Sequence, residues 1–355
     1  MKKRPEQDRL LSLRRLMKAE GLASLLVTRR EDVRYLSGFT GSAGSLLIAS
    51  GKPCLITDFR YKLQSHRESR VATVHIQKKD FYSALRQVAG RMGVDTLWLD
   101  ESSLTVEMLK KLKKIGLRVR EHRDLVRELR LRKDRRELAH IRLAIRRAED
   151  SFRELRRHLK PGATEREIAF KLECLMRDNG ARKAAFDTIV ASGGNGAMPH
   201  ASVTSRRIRK GDLVTIDFGA EAHGYLCDIT RTVCVGRPSP RQREIHGLVL
   251  SAQAAAMQSI KPGVSCKSVD EAAREVIRRA GHGEHFGHGT GHGIGLMVHE
   301  GPSVSPLSKD QVESGMVFTV EPGVYVPGWG GVRIEDMVLA TENGMKLLTT
   351  LPREL

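Results

Sequence analysis

The chain has little that would hold a small secreted fold together. Its five cysteines, Cys54, Cys174, Cys227, Cys234 and Cys266, are odd in number and form no CxxC, which argues for reduced thiols in the cytoplasm and against a disulfide framework. Long apolar runs are also missing. Arg14, Arg15 and Lys18 interrupt the N-terminal stretch, so neither a signal peptide nor a membrane span is expected. Aromatic residues make up only 5%, and no aromatic-and-basic recognition motif stands out. What the chain has in excess is positive charge, 61 basic against 42 acidic residues, a net +19. Such a surplus can steer anionic partners in a salt-dependent way. Here the basic residues are spread along helical stretches and mixed with acids, so the reading is a solvated basic surface without a nucleic-acid partner.

A length of 355 residues with 40% hydrophobic content allows two domains with good cores. Residues near 10–125 alternate strand-like runs (Ser24–Thr28, Gly44–Ala49, Cys54–Asp58, Thr96–Asp100) with helical ones, the pattern of an α/β domain. A charged stretch near Arg130 marks a boundary, giving domains 1–130 and 131–355. The second opens on a helix with a capping box from Asp134 to Glu137, then Leu138, Ile141, Ile145, Ala148, Phe152, Leu155 and Leu159 at helical spacing, ending at Pro161-Gly162. Its Arg-rich reverse face reads as solvated. An echo follows: Leu159-Lys160-Pro161-Gly162 recurs as Ile260-Lys261-Pro262-Gly263, with capping boxes expected at Thr164/Glu167 and Ser268/Glu271. A duplicated helix–helix–sheet unit about a pseudo-twofold explains this, with helices behind one curved, mainly antiparallel sheet.

The chemistry-bearing residues fall in that second half. Val214–Gly219 and Tyr225–Val233 alternate apolar and polar residues, as the arms of a β-hairpin do. Asp217 and Asp228 lie on its polar face, and a turn centred between Ala222 and His223 would make them cross-strand neighbours. Two unpaired carboxylates there repel each other, and divalent cations convert that cost into a binding site. Glu321 and Glu335 repeat the logic about a turn centred on Gly328, although Pro322 cannot donate to a ladder beside Glu321. Arg333 shares the Glu335 face. Between the pairs, glycine at alternate positions from Gly287 to Gly295 rules out a stable helix around His288 and His292 and lets backbone approach a ligand closely. Four carboxylates and one imidazole suit a pair of transition-metal ions better than Mg²⁺ or Ca²⁺, and two such ions activate water and polarise a carbonyl.

These segments, Asp217-Phe218-Gly219, Gly224-Tyr225-Leu226-Cys227-Asp228, His288-Gly289-Thr290-Gly291-His292, Val298-His299-Glu300, Val320-Glu321-Pro322-Gly323 and Val332-Arg333-Ile334-Glu335, resemble in order and spacing the ligand motifs of a metallopeptidase family. It is the "pita-bread" family of aminopeptidase P, prolidase, methionine aminopeptidase and creatinase, and the resemblance is to its proline-specific branch. It covers nearly the whole chain: Val33–Ser42 and Thr57–Tyr61 resemble the non-catalytic N-terminal domain, where Asp58 and Arg60 read as structural or substrate-end elements.

The resemblance implies two divalent ions per chain, Mn²⁺ first with Co²⁺ or Zn²⁺ as alternatives. Asp217 would hold one, His292 and Glu321 the other, with Asp228 and Glu335 bridging. It further implies His200 near the prolyl end of the substrate, His288 and His299 lining the cleft, Glu321 also as proton carrier, and Arg333 orienting Glu335. Short proline-containing peptides would be the substrates of a cytoplasmic homodimer. Xaa-Pro aminopeptidase is the activity expected, with an Xaa-Pro dipeptidase confined to dipeptides as the alternative. A methionine aminopeptidase would share the five ligands, yet the extra N-terminal domain, the His288–His292 spacing and His200 favour the proline branch. A non-catalytic binding protein on this fold would be expected to have lost ligands, and all five are present.

Overall fold

The computed structural model describes residues 4–355. By internal contacts the chain divides into one compact unit up to Leu129 and a second from Arg130 to Leu355. The first unit is built on a six-stranded sheet in the spatial order Thr73–Ile76, Cys54–Thr57, Gly44–Ile48, Leu25–Val27, Thr96–Asp100, Arg118–His122. The four inner strands are those the alternation predicts. The two at the edges, missed in the sequence, are half-exposed and carry His75, Arg118, Arg120 and Glu121, so they lack an apolar face to read. Their position explains this, since an edge strand needs charge to avoid pairing with other chains. Leu26, Leu47, Ile56, Leu97 and Leu99 pack beneath helix Phe81–Arg91, which contributes Leu85 and Val88. Asp58 accepts hydrogen bonds from Arg60 Nε and Nη2 at 3.0 and 2.8 Å and from its backbone N–H, a local cap on the surface.

The second unit begins with helix Arg135–Leu155. Asp134 and Glu137 form the expected capping box, and Ile141, Ala144, Ile145, Ala148, Phe152 and Leu155 supply the buried stripe. Phe152 stacks on Phe218 with ring centroids 5.1 Å apart, fixing the helix behind the Asp217 strand. Helix Glu165–Asp178 follows with the Thr164/Glu167 box. Helices Pro240–Ser259 and Cys266–Arg279 are the second copy. The cap of the last differs from the expected Ser268/Glu271 box: Ser265 is the N-cap and its hydroxyl accepts from the Ser268 N–H at 3.1 Å, because Pro262-Gly263 turns the chain early enough to start the helix at Cys266.

Each helix pair is followed by an antiparallel sheet. Ile189–Ser192, Leu213–Phe218 and Ile229–Cys234 form the first, with the Asp217 strand central. The second has the order Glu300–Val304, Gly291–Gly293, Val317–Val320, Asp336–Thr341, Gly344–Leu347. The expected curved surface is thus made of two hydrogen-bonded pieces. Pro322 has no N–H, and the Glu335 N–H leaves its own hairpin to reach Thr230 C=O across the junction at 3.1 Å. Glu335 is thereby stitched to the strand that follows Asp228. Among the described residues no helix is long and apolar enough to cross a membrane.

Candidate metal centre

The Asp217 hairpin closes through a two-residue turn, His223-Gly224, both at positive φ (50° and 82°), which matches the twist of the flanking strands. This puts the centre one residue later than the sequence suggests. Thr230, not Asp228, stands opposite Asp217, and the register is Ile229 with Phe218 and Tyr225 with Ala222. The shift relative to the expected pairing is two residues, and side chains alternate with period two, so Asp228 keeps the Asp217 face and becomes its diagonal neighbour. Between the two ladders the strands pinch together. A Cβ on Gly219 would sit 1.9 Å from Cys227 O, so only glycine fits there.

The Glu hairpin has the expected register: Gly323 pairs with Arg333 and Val320 with Asp336, both about Gly328. Glu321 and Glu335 fall opposite each other in the interruption that Pro322 makes. His292 comes from the Gly291–Gly293 strand, where a Cβ on Gly291 would meet Thr319 O at 1.9 Å.

The three segments converge. One ligand atom each from Asp228, His292 and Glu335 lie within 4.8 Å of one another. His292 Nε2 is 3.3 Å from Glu321 Oε1 and 3.6 Å from Asp228 Oδ2. Asp217 Oδ1, Asp228 Oδ1 and Glu335 Oε1 are buried without a hydrogen-bond partner. A buried carboxylate oxygen left unpaired costs of order 1–3 kcal/mol or more, so three such oxygens in residues at and beside one His–carboxylate cluster are a donor set built for a cation. Burial, then the neighbouring carboxylates, push the Asp228 and Glu335 acids well above the usual carboxylate range. Burial acts on Glu321 in the same sense, but the His292 imidazole, with His288 and Arg333, outweighs it and brings Glu321 down to about 2. The donor set, carboxylates around one imidazole, fits divalent transition ions.

Residues that hold these ligands are mostly ones the sequence did not single out. Arg333 was expected to orient Glu335; its Nη2 also donates to Asp217 Oδ2 at 2.7 Å, because the sheet junction brings Asp217 across from it. Glu335 Oε2 is held by the Thr230 hydroxyl at 2.7 Å, and Arg333 Nε in turn donates to Thr230 Oγ1 at 3.2 Å. Thr319 Oγ1 accepts from the His292 N–H and donates to Glu321 Oε1, at 3.1 and 3.0 Å. Both threonines could have been found by alternation, since each lies two residues from a ligand on the same strand face.

A cleft of about 460 Å³ opens on this cluster, lined by Asp217, Asp228, His292, Glu321 and Arg333, with Phe186, Ile189 and Val298 as apolar wall. His200, His288 and His299 line it as well. His299 packs edge-on to His292 with centroids 4.3 Å apart. His288 is less available than expected: its Nδ1 contacts Gly289 O at 2.7 Å and its Nε2 the Tyr325 hydroxyl at 2.8 Å. Arg333 Nη1 donates to that same hydroxyl at 2.9 Å, which leaves the phenol proton for His288 Nε2. His288 therefore forms a wall of the cleft with both nitrogens occupied.

The chain matches metallopeptidase family M24 over residues 139–342 and the creatinase/prolidase N-terminal domain over residues 9–132. A Pyrococcus horikoshii protein named Xaa-Pro dipeptidase is 40% identical over 345 residues, 96% of each chain. Among solved structures, an Xaa-Pro dipeptidase from Bacillus anthracis superposes with a TM-score of 0.95 at 37% identity, covering 99% of both chains. An X-Pro aminopeptidase from Thermotoga maritima gives a TM-score of 0.92 at 39% identity over 98% of both.

Proposed function

The chain belongs to metallopeptidase family M24, and on that premise we propose that it is a metal-dependent peptidase that hydrolyses the Xaa-Pro bond of short peptides, with Xaa-Pro dipeptides as its first substrates. The observation that carries this is the clustering of His292 with Asp228 and Glu335, two carboxylates that each keep a buried oxygen without a partner, beside a partly apolar cleft that Asp228 and His292 line. The sequence reading leaned to an Xaa-Pro aminopeptidase. The curated relative named a dipeptidase, alike over nearly its whole length, moves the balance to dipeptides. The aminopeptidase reading stays second, supported by the Thermotoga maritima structure.

Asp217, Asp228, His292, Glu321 and Glu335 would hold two divalent ions, with Mn²⁺ as the proposed metal and Co²⁺ or Zn²⁺ as substitutes. Bound there, such ions supply Lewis-acid polarisation of a carbonyl and a water acidic enough to act near neutral pH. The chain's own residues do the rest. An Xaa-Pro bond has no N–H, so the prolyl ring has to be recognised by shape, and Phe186, Ile189 and Val298 give the cleft an apolar side for it. His299 is kept below the usual histidine range by burial and by the neighbouring His292. It is thus neutral at physiological pH and can donate one N–H to a developing oxyanion. His200 sits with it in the lining as a second donor for the prolyl end, and Glu321 is assigned to carry a proton to the leaving nitrogen.

The test is a paired assay of an Xaa-Pro dipeptide and an Xaa-Pro-Xaa tripeptide on the Mn²⁺-loaded and the chelated protein. Hydrolysis of the dipeptide that disappears on chelation is the expected outcome. A tripeptide preferred by tenfold or more would hand the assignment to the aminopeptidase, and full activity in chelator would overturn the metal mechanism.

A further inference from the structure

Asp270 and Arg274, one turn apart on helix Cys266–Arg279, take no part in the chemistry above, and by sequence they are an ordinary i,i+4 ion pair. Their surroundings are not ordinary. Asp270 is fully buried. Its Oδ2 accepts from Arg274 Nε at 3.0 Å, while its Oδ1 accepts from Arg274 Nη2 at 3.1 Å and from the Thr290 N–H and hydroxyl, both at 2.9 Å. Arg274 then reaches past the carboxylate: Nη1 donates to Phe286 O and Nη2 to His288 O, each at 2.8 Å, with its Cζ 4.3 Å from the Phe286 ring centroid. Two side chains of one helix therefore fasten the glycine-rich segment at Phe286, His288 and Thr290, just before the Gly291–Gly293 strand begins.

What makes this more than loop packing is where Thr290 leads. Its C=O accepts from the Glu321 N–H at 2.7 Å, and two residues further on is His292. A single residue held by Asp270 thus sets the backbone of Glu321 and the entry of the strand bearing His292, whose side chains face each other at 3.3 Å. Asp217 and Asp228, by contrast, take their positions from their own hairpin and from Arg333. We propose that the Asp270–Arg274 pair is the positioning element for the His292–Glu321 half of the metal centre, so that it governs one of the two metal sites selectively. Outer partners that orient metal ligands commonly alter metal affinity by 10–100-fold. The alternative is a role in fold stability alone, which would act on both sites equally. The proposal rests on the two-metal reading of this cleft.

Mn²⁺ binding to the metal-free full-length protein, followed by titration calorimetry, separates these. Wild type is expected to bind two ions. In Asp270→Asn an amide N–H₂ meets the Thr290 or Arg274 donors, and in Arg274→Lys the charge stays but the fork that serves a carboxylate and two carbonyls at once is lost. Both variants should keep one binding event at wild-type affinity and weaken the other by roughly 10–100-fold. Arg274→Lys, the milder change, decides the matter if Asp270→Asn does not fold. Two unchanged binding events in a folded variant, or equal weakening of both, would overturn the positioning role. Failure of the wild type itself to bind two ions would instead count against the two-metal reading, and with it the selective effect proposed here.

Discussion

The carboxylate cluster predicts that removing a ligand stabilises the metal-free protein while abolishing what the ligand is for. Asp228 is buried among Glu335, Asp217 and Glu321, with ligand atoms of Asp228 and Glu335 no more than 4.8 Å apart. At an effective dielectric near 20, one ionised pair at that distance repels by about 3 kcal/mol. Burial and this repulsion raise the folded-state pKa of Asp228 and Glu335. The sign follows: an acid with a raised folded pKa destabilises the metal-free fold progressively as pH rises from the unfolded carboxylate range, near 4, to the raised value. Asp228→Asn removes one charge at nearly constant shape. Allowing for partial protonation, the metal-free variant should gain about 1–3 kcal/mol at neutral pH, a Tm higher by roughly 3–10 °C for a unit of this size. With Mn²⁺ present the order inverts. Wild type gains about 2.7 kcal/mol for each ion at a hundredfold excess over Kd, roughly 5 kcal/mol for two, and the variant gains little. Calorimetric melts of both proteins, in chelator and in Mn²⁺, supply the four numbers needed. A metal-free variant less stable than metal-free wild type, or one that Mn²⁺ stabilises as strongly, would refute the electrostatic account of the cluster.

His299→Ala should lower kcat by about 10²–10³-fold, the range for losing one oxyanion donor, with metal content by elemental analysis unchanged; metal loss would make His299 a ligand instead. Glu300, buried beside Lys133 at 2.9 Å and Arg130, is raised by burial but brought below its ordinary value by those two cations. Its stabilisation is therefore complete above the unfolded glutamate pKa and lost as pH falls through the depressed one. Glu300→Gln should cost about 3–5 kcal/mol at neutral pH and flatten that acid limb in Tm measured from pH 7 to 3, whereas parallel pH profiles would show that the pair contributes nothing. Gly291→Ala drives a Cβ to 1.9 Å from Thr319 O, backbone that cannot swing away, and should cost more than about 2 kcal/mol in urea unfolding. A neutral result would mean the strands can part.

The ligand motifs were legible because each sits in an alternating strand whose polar face is otherwise hard to justify, and because Gly328 marks the centre of the second hairpin. The first hairpin misled by one residue at its turn. Asn-Gly or Asp-Gly usually announces such a turn, and His223 does not, although it adopts φ of 50°. The contact of Arg333 with Asp217 was hidden for a topological reason: facing Glu335 along one strand is local, whereas the approach of Asp217 depends on two sheets meeting at Pro322. The occupied nitrogens of His288 depend on Tyr325, 37 residues away, and no local pattern records that contact. In the first unit the edge strands stayed hidden because charge there replaces the apolar alternation.

The arrangement of hydrogen bonds around the ligands suggests why the threonines stand where they do. Asp217 has Oδ2 tied to Arg333 and Oδ1 free; Glu335 has Oε2 tied to Thr230 and Oε1 free; Glu321 has Oε1 tied to Thr319. Tying one oxygen fixes the rotamer, and a free oxygen keeps lone pairs directed at the centre. A hydroxyl is well suited to this task because it donates one bond while accepting another: Thr230 receives Arg333 Nε and Thr319 receives the His292 N–H. A lysine in either place would neutralise the carboxylate it held and weaken it as a ligand, and a valine would leave both oxygens to rotate. The spacing of two residues between Asp228 and Thr230, and between Thr319 and Glu321, is then the strand period put to use, with one position binding and the next on the same face holding a ligand still.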